Sequence, residues 1–279
     1  MLYIVIPVFN RWHFTRACLE SLRQQTNQAF RTVVVDDGST DETAAALARD
    51  FPEVEVVPGT GRLFWTAGVN RGIQRALAAG ATRVLTLNND LVTEPDFVAQ
   101  MLAAAARHPT AVLGALELDL ATGAPVYGGE RLDWRLNRRH DLLRELPPGA
   151  RHGLHPVTYL PGRGLLIPRA VFERIGLFDE RRLPHYLADF DFTSGARRHG
   201  FPLYCNYEAR LRTYPDESGQ EQTRRQRTLR GYYQHLFGIR GGGNLRNFTH
   251  FALKNCPRPY VPFFLLNGYT RRLVGFFIH

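Results

Sequence analysis

The chain has 279 residues, of which 44% are hydrophobic and 22% charged, a composition typical of a folded globular protein and not of a disordered one. Three widely spaced cysteines without a CxxC pair argue against a disulfide scaffold or a cysteine zinc site, and the absence of a signal peptide or a run of about 20 apolar residues predicts a cytoplasmic protein. The net charge of +9 comes almost entirely from scattered arginines with no interleaved aromatic stripe, so we predict no nucleic-acid binding.

The first 110 residues alternate between continuous apolar runs and amphipathic segments. The apolar runs predict four buried strands, at residues 2–8, 32–35, 54–57 and 83–87. Helical periodicity predicts four helices, at residues 12–25, 39–50, 67–79 and 95–107. Ser39 or Thr40 is predicted to cap the second helix. This alternation predicts an α/β fold with a mostly parallel sheet flanked by helices, in which ligands bind at the carboxyl ends of the strands.

The pattern is less regular after residue 111. We predict strands at residues 112–120, 126–127 and 157–167, and helices at residues 168–175, 187–199, 220–237 and 245–254. The charged stretch 131–151 contains Pro147 and Pro148 and is predicted to be a surface loop or flap. Residues 260–279 mix apolar side chains with two arginines, which fits either a helix packed on the core or an amphipathic segment on a membrane surface.

An acidic pair, Asp36 and Asp37, follows the second predicted strand and precedes Gly38. Carboxylates held at such a strand end can accept hydrogen bonds from the N–H of a nucleotide base or from ribose hydroxyls. The same residues are also typical of a tight turn that leads into a helix cap. Taken alone, this pair leaves both interpretations open.

A second polar cluster, Asn88, Asn89 and Asp90, follows the fourth predicted strand. One or two carboxylates are enough to hold a divalent cation such as Mn²⁺ or Mg²⁺ against a diphosphate. Such a cation would neutralise the charge that develops as a nucleoside diphosphate departs. An ordinary polar turn is the alternative.

A third cluster, Asp189 and Asp191, opens the helix predicted at 187–199. Side chains two positions apart on a helix point in different directions. One carboxylate can therefore face a reaction centre and take the proton of an acceptor hydroxyl, while the other supports the loop. The alternative is a pair of acids that stabilise the helix N-terminus.

Together and in this order, these segments resemble a family-2 glycosyltransferase with the GT-A fold. The matching segments are residues 4–10, 35–41, 65–72, 87–90, 176–180 and 189–191. The resemblance implies a GT-A domain over residues 1–215, with a nucleotide-binding half to residue 110 and an acceptor and catalytic half from residue 111. Residues 216–279 are then predicted to be a C-terminal helical extension.

The resemblance also implies roles for individual residues. Asp189 would be the general base of a displacement with inversion, and Asp90 the carboxylate that holds a divalent metal, Mn²⁺ or Mg²⁺. Asp191, Tyr186 and Arg163 would contact or support the acceptor side, although Arg163 could equally reach the phosphates or lie free on the surface. The residues expected to bind the nucleotide and donor are Pro7, Val8, Asn10, Asp36, Asp37, Trp65, Gly68, Asn70, Asn88 and Asn89.

Three departures from the family pattern bear on these roles. Asn88 replaces the first acid of the metal-binding motif, Ala188 stands where a Glu usually precedes the base, and Thr213-Tyr214 is the nearest match to a metal-binding His. A catalytically inactive scaffold that binds a nucleotide sugar therefore stays open as an alternative. A nucleotidyltransferase is the other, although the chain lacks a glycine- and lysine-rich segment near its N-terminus.

The function implied by the resemblance is transfer of a sugar from a nucleotide-diphosphate donor to an acceptor hydroxyl. The donor class is a UDP- or dTDP-sugar, with dTDP-rhamnose included, and the acceptor is a saccharide or a lipid-linked sugar of a bacterial surface polysaccharide. A lipid-linked acceptor would suit a cytoplasmic protein that makes peripheral contact with the inner face of the cell membrane through its C-terminal segment.

Overall fold

A ten-stranded mixed sheet forms the centre of the structure, a computed structural model that describes residues 1–214 and 228–278. The strands of this sheet are β1 (Leu2–Val8), β2 (Phe30–Asp36), β3 (Glu55–Pro58), β4 (Arg83–Thr86), β5 (Leu91–Thr93), β6 (Val112–Asp119), β7 (Pro125–Tyr127), β10 (Leu154–Pro156), β11 (Leu165–Pro168) and β12 (Leu203–Thr213). A separate hairpin consists of β8 (Glu130–Asp133) and β9 (Arg138–Asp141).

Helices cover both faces of the sheet and form the C-terminal part of the chain. They are α1 (Trp12–Arg23), α2 (Thr43–Asp50), α3 (Phe64–Ala78), α4 (Phe97–Arg107), α5 (Leu142–Glu145), α6 (Arg169–Ile175), α7 (Ala188–Arg198), α8 (Leu229–Phe237), α9 (Leu245–Asn255) and α10 (Val261–Ile278). Within the described ranges, no helix is both long enough and apolar enough to cross a membrane.

The first four strands are parallel, as predicted, in the order β3-β2-β1-β4. Strand β11 then pairs antiparallel with both β4 and β6, and β12 runs parallel to β6. Successive side chains of β1 point to opposite faces of the sheet: Tyr3 and Val5 join one apolar core, and Ile4 and Ile6 join the other. Burial on both faces explains why the strand is a continuous apolar run.

Helix α3 packs closely on β1 because it has glycine at the contact. A methyl group on Gly72 would lie 2.3 Å from Val5 Cγ1, and one on Gly68 would lie 3.2 Å from Pro7 Cβ. The absence of side chains therefore brings the N-terminal turn of α3, which carries Trp65, over the carboxyl end of β1.

Several predicted elements differ from the structure. The stretch 131–151 is not a loop: it contains the β8–β9 hairpin and α5, and Leu132 and Trp134 pack against the aromatic core of the C-terminal helices. Strands β5 and β12 were not predicted. Neither Ser39 nor Thr40 caps α2; Asp41 Oδ1 accepts the N–H of Thr43 (3.0 Å) at its start. Only residues 229–237 of the helix predicted at 220–237 are helical among the described residues.

The C-terminal helices are attached to α7 and to the β8–β9 hairpin. Lys254 Nζ and Asn255 Nδ2 on α9 donate to the carboxylate of Asp191 on α7, at 2.5 and 2.7 Å. Asn137, from the turn of the β8–β9 hairpin, donates to the carbonyl of Phe264 on α10 (3.3 Å). The boundary predicted near residue 215 lies outside the described residues and stays a prediction.

Candidate active site

The loops after β1, β2 and β4 meet at one edge of the sheet. Asn10 joins the first two: its Oδ1 accepts the N–H of Thr40 (2.7 Å), and its own N–H donates to Ser39 Oγ (2.8 Å). The backbone N–H of Asp37 also donates to the carbonyl of Val8 (2.8 Å). Asn10 thus acts as a bridge between two loops, which shapes the edge without leaving its amide oxygen free for a nucleotide.

Asp37 has a similar structural role. Its carboxylate accepts the backbone N–H groups of Thr60 (3.0 Å), Gly61 (2.7 Å) and Leu63 (2.8 Å). A carboxylate has about four acceptor positions, so most of its capacity is used in holding the loop between β3 and α3. Asp36 accepts one N–H, from Ser39 (2.9 Å). Of this pair, Asp36 therefore accepts fewer of the loop's backbone N–H groups, and both side chains are buried.

Trp65 connects three segments of the site. Its Nε1 donates to Asn88 Oδ1 (2.9 Å), and its ring meets Phe178 edge-on at 5.7 Å. Gly162 lies flat against the same ring, since a methyl group there would lie 2.3 Å from two ring carbons. The start of α3, the loop after β4 and the turn at 162–164 are thus fixed relative to one another.

Two predicted donor-site amides are engaged in the scaffold. Asn70 donates to the carbonyl of Phe178 (2.9 Å), accepts its N–H (3.1 Å) and donates to Glu180 Oε2 (2.7 Å). Asn89 Nδ2 donates to Thr15 Oγ1 on α1 (3.0 Å). Asn70 therefore holds the segment that leads to α7, and Asn89 fixes the loop that carries Asp90.

Asp90 is the candidate metal ligand. Its carboxylate is about one quarter exposed, with Arg11 Nη1 3.5 Å from Oδ2. Across the described residues, no group of three or more His, Cys, Asp or Glu side chains could hold a metal. Tyr214, at the place of the family's His, packs on the ring of Phe14. These residues fit a cation held jointly by one carboxylate and substrate phosphate oxygens, and not an all-protein site.

Asp189 lies at the first turn of α7, next to the turn at 162–164. Its Oδ2 accepts the N–H of Gly162 and its Oδ1 accepts that of Phe190, each at 2.9 Å. Burial raises the pKa of this carboxyl, because removal from water disfavours the charged form; the backbone N–H groups and Arg163 oppose the rise. A fixed carboxylate with a raised pKa is suited to accept a proton from a hydroxyl.

Asp191 points away from this site. It is 2% exposed and binds Lys254 and Asn255, so it supports the position of α7 and does not meet an acceptor.

Tyr186 packs against His185 with ring centroids 4.6 Å apart. Burial raises the pKa of the Tyr186 hydroxyl. Burial, together with the positive charge of nearby Arg240, lowers the pKa of His185 to about 4, so the His185 imidazole is neutral at pH 7.

Two features of the site were missed by sequence reasoning. Glu117 on β6 is fully buried, and its Oε2 lies 2.8 Å from Arg163 Nε. The signal was present as a single acid within the otherwise apolar run at residues 112–118. Left-handed backbone is the second feature: Asn10, Arg11, Phe64 and Leu187 all have φ between 55° and 69°. All four flank site segments, and no local pattern distinguishes Phe64 or Leu187.

Known glycosyltransferases are similar to this chain in sequence and in fold. The profile described as Glycosyl transferase family 2 matches residues 3–176. N-acetylglucosaminyl-diphospho-decaprenol L-rhamnosyltransferase of Mycobacterium tuberculosis is 30% identical over 200 residues, 62% of each chain. Low-salt glycan biosynthesis hexosyltransferase Agl10 of Haloferax volcanii is 26% identical over 181 residues, 64% of this chain and 57% of that one. The chain thus spans about three fifths of the length of these relatives.

Two solved structures share the fold. TarS 1–349 of S. aureus has a TM-score of 0.59 at 15% identity, over 99% of this chain and 90% of that one. GalNAc-T7, solved with UDP, GalNAc and Mn²⁺, has a TM-score of 0.62 at 14% identity, over 98% of this chain and 56% of that one. The chain therefore belongs to glycosyltransferase family 2, and it has the GT-A fold.

Proposed function

We propose that the protein transfers a sugar from a nucleoside-diphosphate donor to an acceptor hydroxyl in a single displacement, with inversion at the anomeric carbon. Asp189 takes the proton of the acceptor hydroxyl as the new glycosidic bond forms. The bond between the anomeric carbon and the diphosphate breaks at the same time, and its electron pair leaves with the diphosphate. The observation that carries this proposal is the Asp189 carboxylate, fixed by the Gly162 N–H and with a raised pKa.

Asp90 would hold a divalent cation together with the donor phosphates. A Mn²⁺ or Mg²⁺ ion bound there supplies positive charge against the leaving diphosphate. GalNAc-T7, which shares the fold, was solved with UDP and Mn²⁺. Asp90 is the one carboxylate in the loop at residues 87–90, so such a cation would bind weakly before the donor arrives.

The donor class that we favour is a dTDP- or UDP-sugar, with rhamnose as the first sugar to test. The name of the Mycobacterium tuberculosis relative includes an L-rhamnosyl donor group and a polyprenol-linked acceptor. A TarS structure contains UDP. The acceptor proposed here is accordingly a hydroxyl of a saccharide or a lipid-linked sugar.

The C-terminal helices support a lipid-linked acceptor. Residues 228–278 contain six arginines, one lysine and no Asp or Glu. Ten of the fifteen exposed large apolar side chains of the described residues also lie there, Leu229 and Leu266 being 85% and 68% exposed. Exposed apolar groups among basic residues are suited to an anionic membrane surface.

Binding to phosphatidylglycerol vesicles can be measured by sedimentation. We expect the protein to sediment with these vesicles, and we expect salt and Leu266→Asp to weaken this binding. Equal binding to phosphatidylcholine vesicles would contradict the proposed membrane contact.

The first test of the enzymatic proposal is calorimetry against nucleoside diphosphates and their monophosphates, with and without Mn²⁺. Binding of a pyrimidine nucleoside diphosphate that Mn²⁺ strengthens is expected. No binding of any nucleotide would refute the proposal.

The second test is Asp189→Asn, which is expected to abolish donor turnover while nucleotide affinity changes by less than about threefold, because the base acts on the acceptor. Glu173→Gln, at an exposed ion pair on α6, is the matched control. Turnover that survives in Asp189→Asn removes this residue from the role of base. Nucleotide binding without turnover of any donor in the wild type favours the inactive scaffold.

A further inference from the structure

A buried carboxylate without a hydrogen-bond partner lies beside the candidate site. Glu117 is fully buried on β6, and neither of its carboxylate oxygens makes a hydrogen bond. Its charge is balanced by the guanidinium of Arg163, whose Nε lies 2.8 Å from Oε2 without the alignment of a hydrogen bond. A buried charge of this kind is costly unless it is paired, so the pair indicates a function for the position of Arg163.

The turn that carries Arg163 is held on both sides. Thr86, at the end of β4, donates through Oγ1 to the carbonyl of Gly162 and accepts the N–H of Gly164 (2.9 Å) at its own carbonyl. The N–H of Gly162 donates to Asp189. Arg163 is thus fixed next to the general base and close to the loop that follows β4.

Three acidic side chains surround the guanidinium of Arg163. Glu117, Asp90 and Asp189 all lie close enough to raise the pKa of its guanidinium, Glu117 most strongly. The side chain is 38% exposed although the carboxylate that it pairs with is 1% exposed. The Nε edge of the guanidinium therefore faces Glu117, while more than a third of the Arg163 side-chain surface stays open to solvent.

We propose that Arg163 binds the diphosphate of the donor directly and that Glu117 is the residue that positions it. This inference rests on the proposed function, and it adds the guanidinium of Arg163 as a positively charged group that contacts the diphosphate. A planar guanidinium with one edge fixed can donate two parallel N–H bonds to phosphate oxygens. Because Asp90 belongs to no group of three or more His, Cys, Asp or Glu side chains that could hold a metal among the described residues, a fixed guanidinium supplies charge that a stronger metal site would otherwise provide.

The test compares ligands with one and two phosphates. Arg163→Ala alone leaves Glu117 buried and unpaired and could prevent folding, so the main variant is Arg163→Ala combined with Glu117→Gln. We expect its affinity for the pyrimidine nucleoside diphosphate to fall roughly ten- to a hundredfold, while affinity for the nucleoside alone changes by less than about threefold. Arg16→Ala, at an exposed ion pair on α1, is the control and should match the wild type.

Two further variants separate the roles of the pair. Arg163→Lys keeps the charge but not the planar fork, so it should bind the diphosphate less tightly than wild type and more tightly than the double variant. Glu117→Gln alone should lower the affinity for the nucleoside diphosphate several fold. In the Arg163→Ala background it should cause no further loss of affinity, because Glu117 acts through Arg163. Additive losses would show that Glu117 acts otherwise.

The outcomes for the inference and for the proposed function differ. If the wild type binds no nucleoside diphosphate, the proposed function fails. If the wild type binds it and the folded double variant binds it equally well, the proposed function stands and the role of Arg163 is refuted. Equal losses of affinity for the nucleoside and for the nucleoside diphosphate would likewise refute the role of Arg163, since they would show a general distortion of the pocket.

Discussion

Gly162→Ala is the substitution for which the structure predicts the clearest result. Residue 162 lies between the Trp65 ring and Asp189, and an added Cβ would be 2.3 Å from two ring carbons and 3.5 Å from Asp189 Cβ. Ordinary contact begins at about 3.4 Å. The ring must therefore retreat from 2.3 to at least 3.4 Å, a movement of about 1 Å, or the turn must move away from it.

This movement has a cost that can be worked out in two parts. Forcing one methyl group into a packed site costs about 1–3 kcal/mol of unfolding free energy. A 1 Å shift directed away from Asn88 would also take the Trp65 Nε1 to Asn88 Oδ1 hydrogen bond, now 2.9 Å, beyond the range of a hydrogen bond. Because the same turn positions Asp189, we expect kcat to fall roughly ten- to a hundredfold.

Chemical denaturation and steady-state kinetics measure both effects. The matched control is Gly195→Ala in α7, where the added Cβ would meet its nearest neighbour at 3.7 Å; it should keep kcat and gain up to about 1 kcal/mol of stability. In a Trp65→Phe background, which removes the two contacting ring carbons, the loss of stability caused by Gly162→Ala should shrink. Unchanged kcat in Gly162→Ala, or an equal loss in the control, would refute this reasoning.

Three other predictions concern acidic groups. Asp37→Ala removes the acceptor of three backbone N–H groups and should lower the free energy of unfolding by about 2–3 kcal/mol in urea titration; a change below about 0.5 kcal/mol would contradict its structural role. Asp191→Ala should cost about 2–3 kcal/mol, toward the low end for a buried pair because Lys254 is 40% exposed, and limited proteolysis should then cleave first in the C-terminal helices; cleavage unchanged from wild type would contradict the attachment. Because burial raises the pKa of Asp189 and the base must be ionised, kcat/KM should fall as the pH drops through a value above the ordinary aspartate range near 3.9; an acid limb at or below that value would contradict the assignment.

The parallel half of the fold could be predicted from the sequence because its signals are local. Burial on both faces makes β1 a continuous apolar run, and the prediction of residues 2–8 is confirmed to the residue. The later strands depend on contacts distant in sequence. Strand β5 has three residues and exists because it pairs with β12, more than a hundred positions away, and the β8–β9 hairpin is covered by helices from the end of the chain.

The positions of the polar clusters follow from the sequence better than the use of each residue does. Two clusters follow β2 and β4 at the carboxyl edge of the sheet, and Asp189 of the third is linked to the loop after β4 through Gly162 and Trp65. Residue type could not show that Asp37 and Asn70 would be occupied by backbone groups, since that depends on the paths of the loops at 59–63 and 178–180. Glu117 was missed for a related reason: its partner Arg163 is brought to it only by the pairing of β11 with β6.

The left-handed residues of the site have a consequence for engineering. Four of the five non-glycine residues with positive φ among those described flank the site, and each left-handed residue other than glycine or asparagine costs roughly 1–2 kcal/mol. Their sum is a sizeable part of the 5–15 kcal/mol that typically separates folded from unfolded chains. Phe64→Gly would relax the backbone and leave Trp65, the next residue, less constrained. Leu187→Gly would relax the backbone before Asp189 but would also remove a side chain that packs against two apolar cores. A library sorted by thermostability alone is thus expected to enrich Phe64→Gly over Leu187→Gly and to lose turnover.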